Sequence, residues 1–96
     1  MYEKDFSIAV HPGAVLQDIL DEGDLTQSEL ARHLDMPHSK INEICRGRRG
    51  LSAEMATMLG RAFGQSPEFW LNLQKAWELS QVDQSRFTKI RRIVAR

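Results

Sequence analysis

The 96-residue chain is 42% hydrophobic and 27% charged, enough for one domain with a modest core and without the run of about 18–20 apolar residues that a membrane span needs. One cysteine, Cys45, excludes an intramolecular disulfide, and no basic-then-apolar leader opens the sequence, so a cytoplasmic protein with no membrane partner is expected. Thirteen acids balance thirteen bases unevenly: residues 1–36 hold eight acids and two bases, 37–64 two and five, 65–96 three and six, so zero net charge does not exclude a nucleic-acid partner.

Residues 1–10 alternate Tyr2, Phe6, Ile8 and Val10 with charged or small residues, the pattern of a short extended arm. His11-Pro12-Gly13 marks a turn, with Pro12 suited to the first position of a helix. That helix is expected to run to Glu22 on an apolar stripe of Val15, Leu16, Ile19 and Leu20, and Gly23 is expected to stop it.

The stretch Gln27–Arg46 holds Leu30, Leu34, Met36, Ile41 and Ile44 at helical spacing on either side of a very short break, which reads as a helix-turn-helix. Thr26 and Glu29 fit a reciprocal capping box, with Leu25 placed to staple onto Leu30. Ala31 is small where a second helix would cross the first. Pro37 cannot continue the first helix, so the turn is Asp35-Met36 and the second helix runs from about His38 to Arg46, closed by Gly47. Ile41 and Ile44 must face the core to close such a motif. His38, Ser39, Lys40, Asn42, Glu43 and Arg46 then remain on other faces, all with groups able to bond to DNA.

Gly47-Arg48-Arg49-Gly50 follows as a basic loop suited to phosphate. Ser52 caps a fourth helix, about Ala53 to Ala62, with Met55, Ala56, Leu59 and Phe63 inward and Gly64 as its stop. Ser66-Pro67-Glu68 opens a fifth, from Pro67 to about Gln81, whose apolar surface is wider than one stripe requires. Trp70 and Trp77, seven apart, fall on nearly one side; with Leu73 they are expected at a homodimer contact, an intrachain core being the alternative. The basic tail from Asp83 to Arg96 places Phe87, Ile90, Ile93 and Val94 at helical spacing and is a possible sixth element.

His11, His33 and His38 share no metal spacing, and no phosphate-cradling glycine loop, nucleophile elbow or carboxylate cluster occurs. Neither catalysis, metal nor cofactor is expected. The domain is expected over residues 11–82, all-α with five helices.

HPGAVLQDIL followed by LTQSELARHLDMPHSKINEICRGRRGLSAEMATMLGRAFGQSPEFWLNLQKAWEL resembles the HigA/VapI group of antitoxins, within the lambda-repressor-like (XRE) helix-turn-helix superfamily. The resemblance spans about residues 11–80 and implies a dimer that binds an inverted-repeat operator in its own promoter and neutralises a HigB-like, mRNA-cleaving toxin. It places His38, Ser39, Lys40 and Glu43 where the superfamily reads bases, and Gln27, Asn42, Arg46, Arg48 and Arg49 where it holds phosphates. Among these, Lys40 suits guanine O6/N7 and Glu43 cytosine N4. Asp35 stands at a turn position commonly filled by glycine, and can adopt the same left-handed conformation less easily. Rival readings are a stand-alone regulator of this fold and a protein-interaction module without DNA binding.

Overall fold

The computed structural model describes residues 9–94. It contains α1 (Pro12–Glu22), α2 (Gln27–His33), α3 (His38–Cys45), α4 (Ala53–Phe63) and α5 (Pro67–Ser80), then a 3₁₀ turn at Gln84–Phe87. No strand occurs among the described residues, so the expected all-α, five-helix class holds. The arm expected over residues 1–10 lies, through residue 8, outside the described residues.

Four of the five helices start where a side chain meets free backbone donors; α3 alone opens from Pro37 without a side-chain cap. Thr26 Oγ1 accepts from the Glu29 N–H at 3.0 Å and Glu29 Oε1 accepts from the Thr26 N–H at 2.8 Å, the reciprocal box the sequence predicts. That bond to the Thr26 backbone holds the Glu29 carboxyl below the ordinary carboxylate range. Ser52 and Ser66 cap α4 and α5 through the Met55 and Phe69 N–H groups. The cap of α1 is less expected: His11 Nδ1 accepts from the Gly13 N–H at 2.9 Å.

Four of the five helices close on a left-handed residue, and α5 ends at Gln81 without one. Gly47 (φ 74°) and Gly64 (φ 75°) take that conformation after α3 and α4. At the end of α1 it is Asp24 (φ 55°), whereas Gly23, expected to supply the stop, sits at φ −86°. Asp35 in the α2–α3 turn is also left-handed, at φ 55°, so the aspartate does adopt the backbone that glycine usually supplies.

The core joins Leu16 and Leu20 of α1, Leu30 and Ala31 of α2, Ile41 and Ile44 of α3, Leu51, Met55, Ala56 and Leu59 around α4, and Trp70 of α5. α2 packs on α3 and α4 on α5, while α1 bridges α3 and α5. The bridge is tight. A Cβ on Gly13 would lie 1.7 Å from the Ile44 carbonyl oxygen, so only glycine lets α1 approach the α3 backbone this closely.

Trp70 requires a correction. Expected at a dimer contact, it is 0% exposed, wrapped by its own subunit, with Nε1 donating to Gln65 Oε1 at 2.7 Å. Trp77 is half-buried and meets the His11 ring edge-on at 4.8 Å between centroids. Seven-residue spacing does put both rings on one side of α5, but much of what covers that side is intrachain. Phe69, beside them on α5, is exposed, at 40%.

Candidate nucleic-acid interface

α3 is fixed from below and free above. Ile41 and Ile44 are both 0% exposed, and at 3.6 residues per turn the opposite side of the helix carries Ser39, Asn42, Glu43 and Arg46. His38 and Lys40 lie on the two flanks, His38 exposed and Lys40 half-buried. All six side chains therefore remain available on one element, its N-terminal turn entering directly from Pro37. Lys40, whose chemistry suits guanine, is more flanking than Ser39 or Glu43.

The basic loop is brought against the same helix. Arg49 reaches back to Glu43, with Nε donating to Oε1 at 2.9 Å and a terminal guanidinium nitrogen 2.8 Å from the same oxygen. Glu43, expected to read bases, and Arg49, expected to hold phosphate, thus form one unit. Both remain about half exposed, at 45% and 48%. The pairing reduces the repulsion a lone carboxylate would feel near phosphates and fixes the guanidinium plane beside α3. Arg46 and Arg48 stay exposed.

Gln74 secures this loop from the opposite end. It is a buried polar side chain, 5% exposed, whose Oε1 accepts from the Leu51 N–H at 2.8 Å while Nε2 donates to Glu78 Oε2 at 2.8 Å. A Cβ on Gly50 would stand 2.9 Å from Gln74 Nε2, so the loop passes directly over the amide. No periodicity in the sequence marks Gln74 as an anchor, because its partner is a backbone group 23 residues away.

Gln27 and Asn42, both assigned to phosphate from sequence, are joined: Asn42 Nδ2 donates to Gln27 Oε1 at 3.0 Å. Gln27 Nε2 in turn donates to Gln17 Oε1 at 2.8 Å, and Gln17 Nε2 to Asp21 Oδ1 at 2.9 Å. Sequence reasoning overlooked Gln17 and Asp21, which sit on α1 and become neighbours of α3 only through the fold. Cys45, half-buried at the end of α3, has its thiol pushed up to about 11 by burial, then by the nearby Asp21 charge, which makes it a packing residue. Among the described residues no three or more His, Cys, Asp or Glu gather at metal-binding distance, and no helix is long and apolar enough to cross a membrane.

A helix-turn-helix family model matches residues 16–70. Virulence-associated protein A' of Dichelobacter nodosus is 43% identical over 82 residues, covering 84% of this chain and 71% of that protein. The Pseudomonas aeruginosa antitoxin HigA, solved with the higBA promoter, superposes with a TM-score of 0.76 at 40% identity, over 84% of this chain and 88% of that one. Antitoxin GraA in complex with its operator superposes at 0.74 and 33% identity, over 90% and 92%. Together with the α2–turn–α3 geometry, these similarities show that the chain belongs to the XRE-type helix-turn-helix family, in the group of HigA and the virulence-associated proteins.

Proposed function

We propose that this protein is the antitoxin of a type II toxin–antitoxin pair, binding operator DNA as a homodimer, repressing its own operon and neutralising a HigB-like toxin. The observation that carries the reading is the outward face of α3. Ser39, Asn42, Glu43 and Arg46 project opposite two fully buried isoleucines, with His38 and Lys40 on the flanks and Arg48 and Arg49 beside them. An α-helix of this kind fits a major groove, its first turn toward base edges and the adjoining cations toward phosphates.

Base reading is assigned to His38, Ser39, Lys40 and the Glu43–Arg49 unit, and phosphate contact to Gln27, Arg46 and Arg48. The half-buried Leu73 and Trp77 of α5 remain as the dimer face once Trp70 is assigned to the core. Two copies then place their α3 helices about 34–36 Å apart, one turn of duplex. The solved relatives HigA and GraA, each with its promoter or operator DNA, support the DNA half of the reading. The acidic N-terminal third supplies charge opposite to that of a small basic toxin.

The test is a pair of measurements on the full chain. Sedimentation with duplex from the DNA upstream of its own reading frame is expected to give a two-chain complex on a near-palindromic site. Co-expression is expected to relieve the growth arrest caused by the product of the adjacent frame. A monomer that binds all duplexes equally contradicts the repressor half, and unrelieved arrest contradicts the antitoxin half.

A further inference from the structure

Asp21, Gln17, Gln27 and Asn42 form a line of side-chain hydrogen bonds crossing three helices, from the exposed side of α1 through the start of α2 to the outer face of α3. Such a line has a direction. Each primary amide has an oxygen that only accepts and a nitrogen that only donates, so three amides in series can run either way. A carboxylate at one end removes the choice, because an ionised carboxylate only accepts.

Facing Asp21, Gln17 must offer its Nε2, which leaves its Oε1 for Gln27. Gln27 must then offer Nε2 to Gln17 and leave Oε1 for Asn42. Asn42 must give an Nδ2 hydrogen inward. Its Oδ1 and its second N–H remain for whatever lies against α3. An oxygen acceptor paired with an adjacent N–H donor matches adenine in the major groove, where N6 donates and N7 accepts. Phosphate, which offers acceptors alone, uses only half of that pair. Gln27 keeps one N–H without a partner among the described residues, which suits phosphate.

We infer that Asp21 and Gln17, neither of them at the DNA surface, are positioning residues that fix the polarity of the Asn42 amide and so make Asn42 a reader of adenine rather than a phosphate contact. The inference rests on the reading that α3 enters the major groove. Reversing the line exposes the Asn42 amino group with its oxygen turned inward, which loses the match to adenine N6. Asp21→Lys forces that reversal, because an ammonium only donates. Asp21→Asn leaves both directions open, and Gln17→Leu cuts the line.

The experiment is competition binding of the full-length protein to duplexes tiled from the DNA upstream of its own reading frame, each base pair replaced in turn. With the natural chain, one A·T pair in each half-site is expected to be preferred by about tenfold over its replacements, the scale of one well-formed base contact. Asn42→Ala is expected to erase that preference. Asp21→Lys and Gln17→Leu are expected to reduce it to within about twofold while base preferences at other positions stay unchanged, with Asp21→Asn in between. A purely structural role for Asp21 would weaken all sequences alike, and the added charge of lysine would strengthen all alike; neither alters the profile at one position.

If Asp21→Lys and Gln17→Leu both keep the natural chain's base-by-base profile, or if Asn42→Ala leaves the adenine preference standing, the inference is overturned and the DNA reading survives. A natural chain that shows no base preference on any duplex overturns the DNA reading and this inference with it.

Discussion

At Gly13 one absent carbon decides how two helices meet, since any Cβ would overlap the Ile44 carbonyl at the end of α3. Gly13→Ala is expected to cost about 3 kcal/mol or more, because backbone must move on one side or the other. A chemical-denaturation midpoint unchanged from the natural chain would contradict it. The preceding residue adds a pH dependence. His11 caps α1 only while Nδ1 is unprotonated, and burial lowers its pKa below the ordinary 6.5. The unfolded chain takes up this proton at higher pH than the folded one. The contribution is complete above pH 6.5 and is lost as pH falls through the lower folded value. His11→Asn, which can keep a cap oxygen without titrating, is expected to show a smaller loss of melting temperature than the natural chain on acidification below 6.5. Equal losses would remove His11 from the account. Proline and glycine placed the start of α1 correctly in sequence, but the buried contact of Gly13 was not legible because it depends on α3 arriving from elsewhere in the chain, and the imidazole cap, though only two residues long, was not because histidine is not among the usual cap side chains.

Among the elements, the helices were legible nearly to the residue where side chains near in sequence set the boundary, as in the Thr26–Glu29 box and at Gly47 and Gly64. The face of α5 was legible but its partner was not. Spacing shows that Trp70 and Trp77 lie together, whereas only the assembled core shows that Trp70 is enclosed by its own chain. The loop after α3 depends on a similarly distant link through Gln74. Gln74→Ala leaves the Leu51 N–H without its acceptor and is expected to destabilise the fold by about 1–3 kcal/mol. Because the loop holding Arg48 and Arg49 is then less fixed, duplex affinity is expected to fall further than stability alone requires. Calorimetry beside a binding curve checks both, and loss of stability with untouched affinity would separate the loop from the interface.

Over the whole molecule, charge is segregated: α1 and the approach to α2 are acidic, α3 balances Lys40 against Glu43, and the loop after it and the tail are basic. In the proposed complex, long-range attraction to a duplex and counterion release arise from this basic loop and tail. Arg48→Ala is expected to lower the slope of log affinity against log salt by about one, as loss of one phosphate contact does. Arg49→Ala is expected to weaken binding by more than that, since it also leaves the Glu43 carboxylate unpaired next to DNA. Equal effects of the two substitutions would show the Glu43 pairing to be irrelevant to binding. The tail leaves Ile90, Ile93 and Val94 largely exposed, at 74%, 89% and 89%, so its apolar side chains find no cover within the described chain.

In the proposed complex the outer side of α3 discriminates sequence while the surrounding cations supply general affinity. The most direct test of this division is the ratio of affinities for the protein's own upstream duplex and for random duplex of equal length, measured at one salt concentration for the natural chain and for Ser39→Ala combined with Lys40→Ala. A large ratio is expected for the natural chain, a much smaller one for the double variant, in which only the share read through Asn42 and the Glu43–Arg49 pair remains, and an unchanged melting temperature. A double variant that stays folded and keeps the natural ratio would place sequence reading somewhere other than α3.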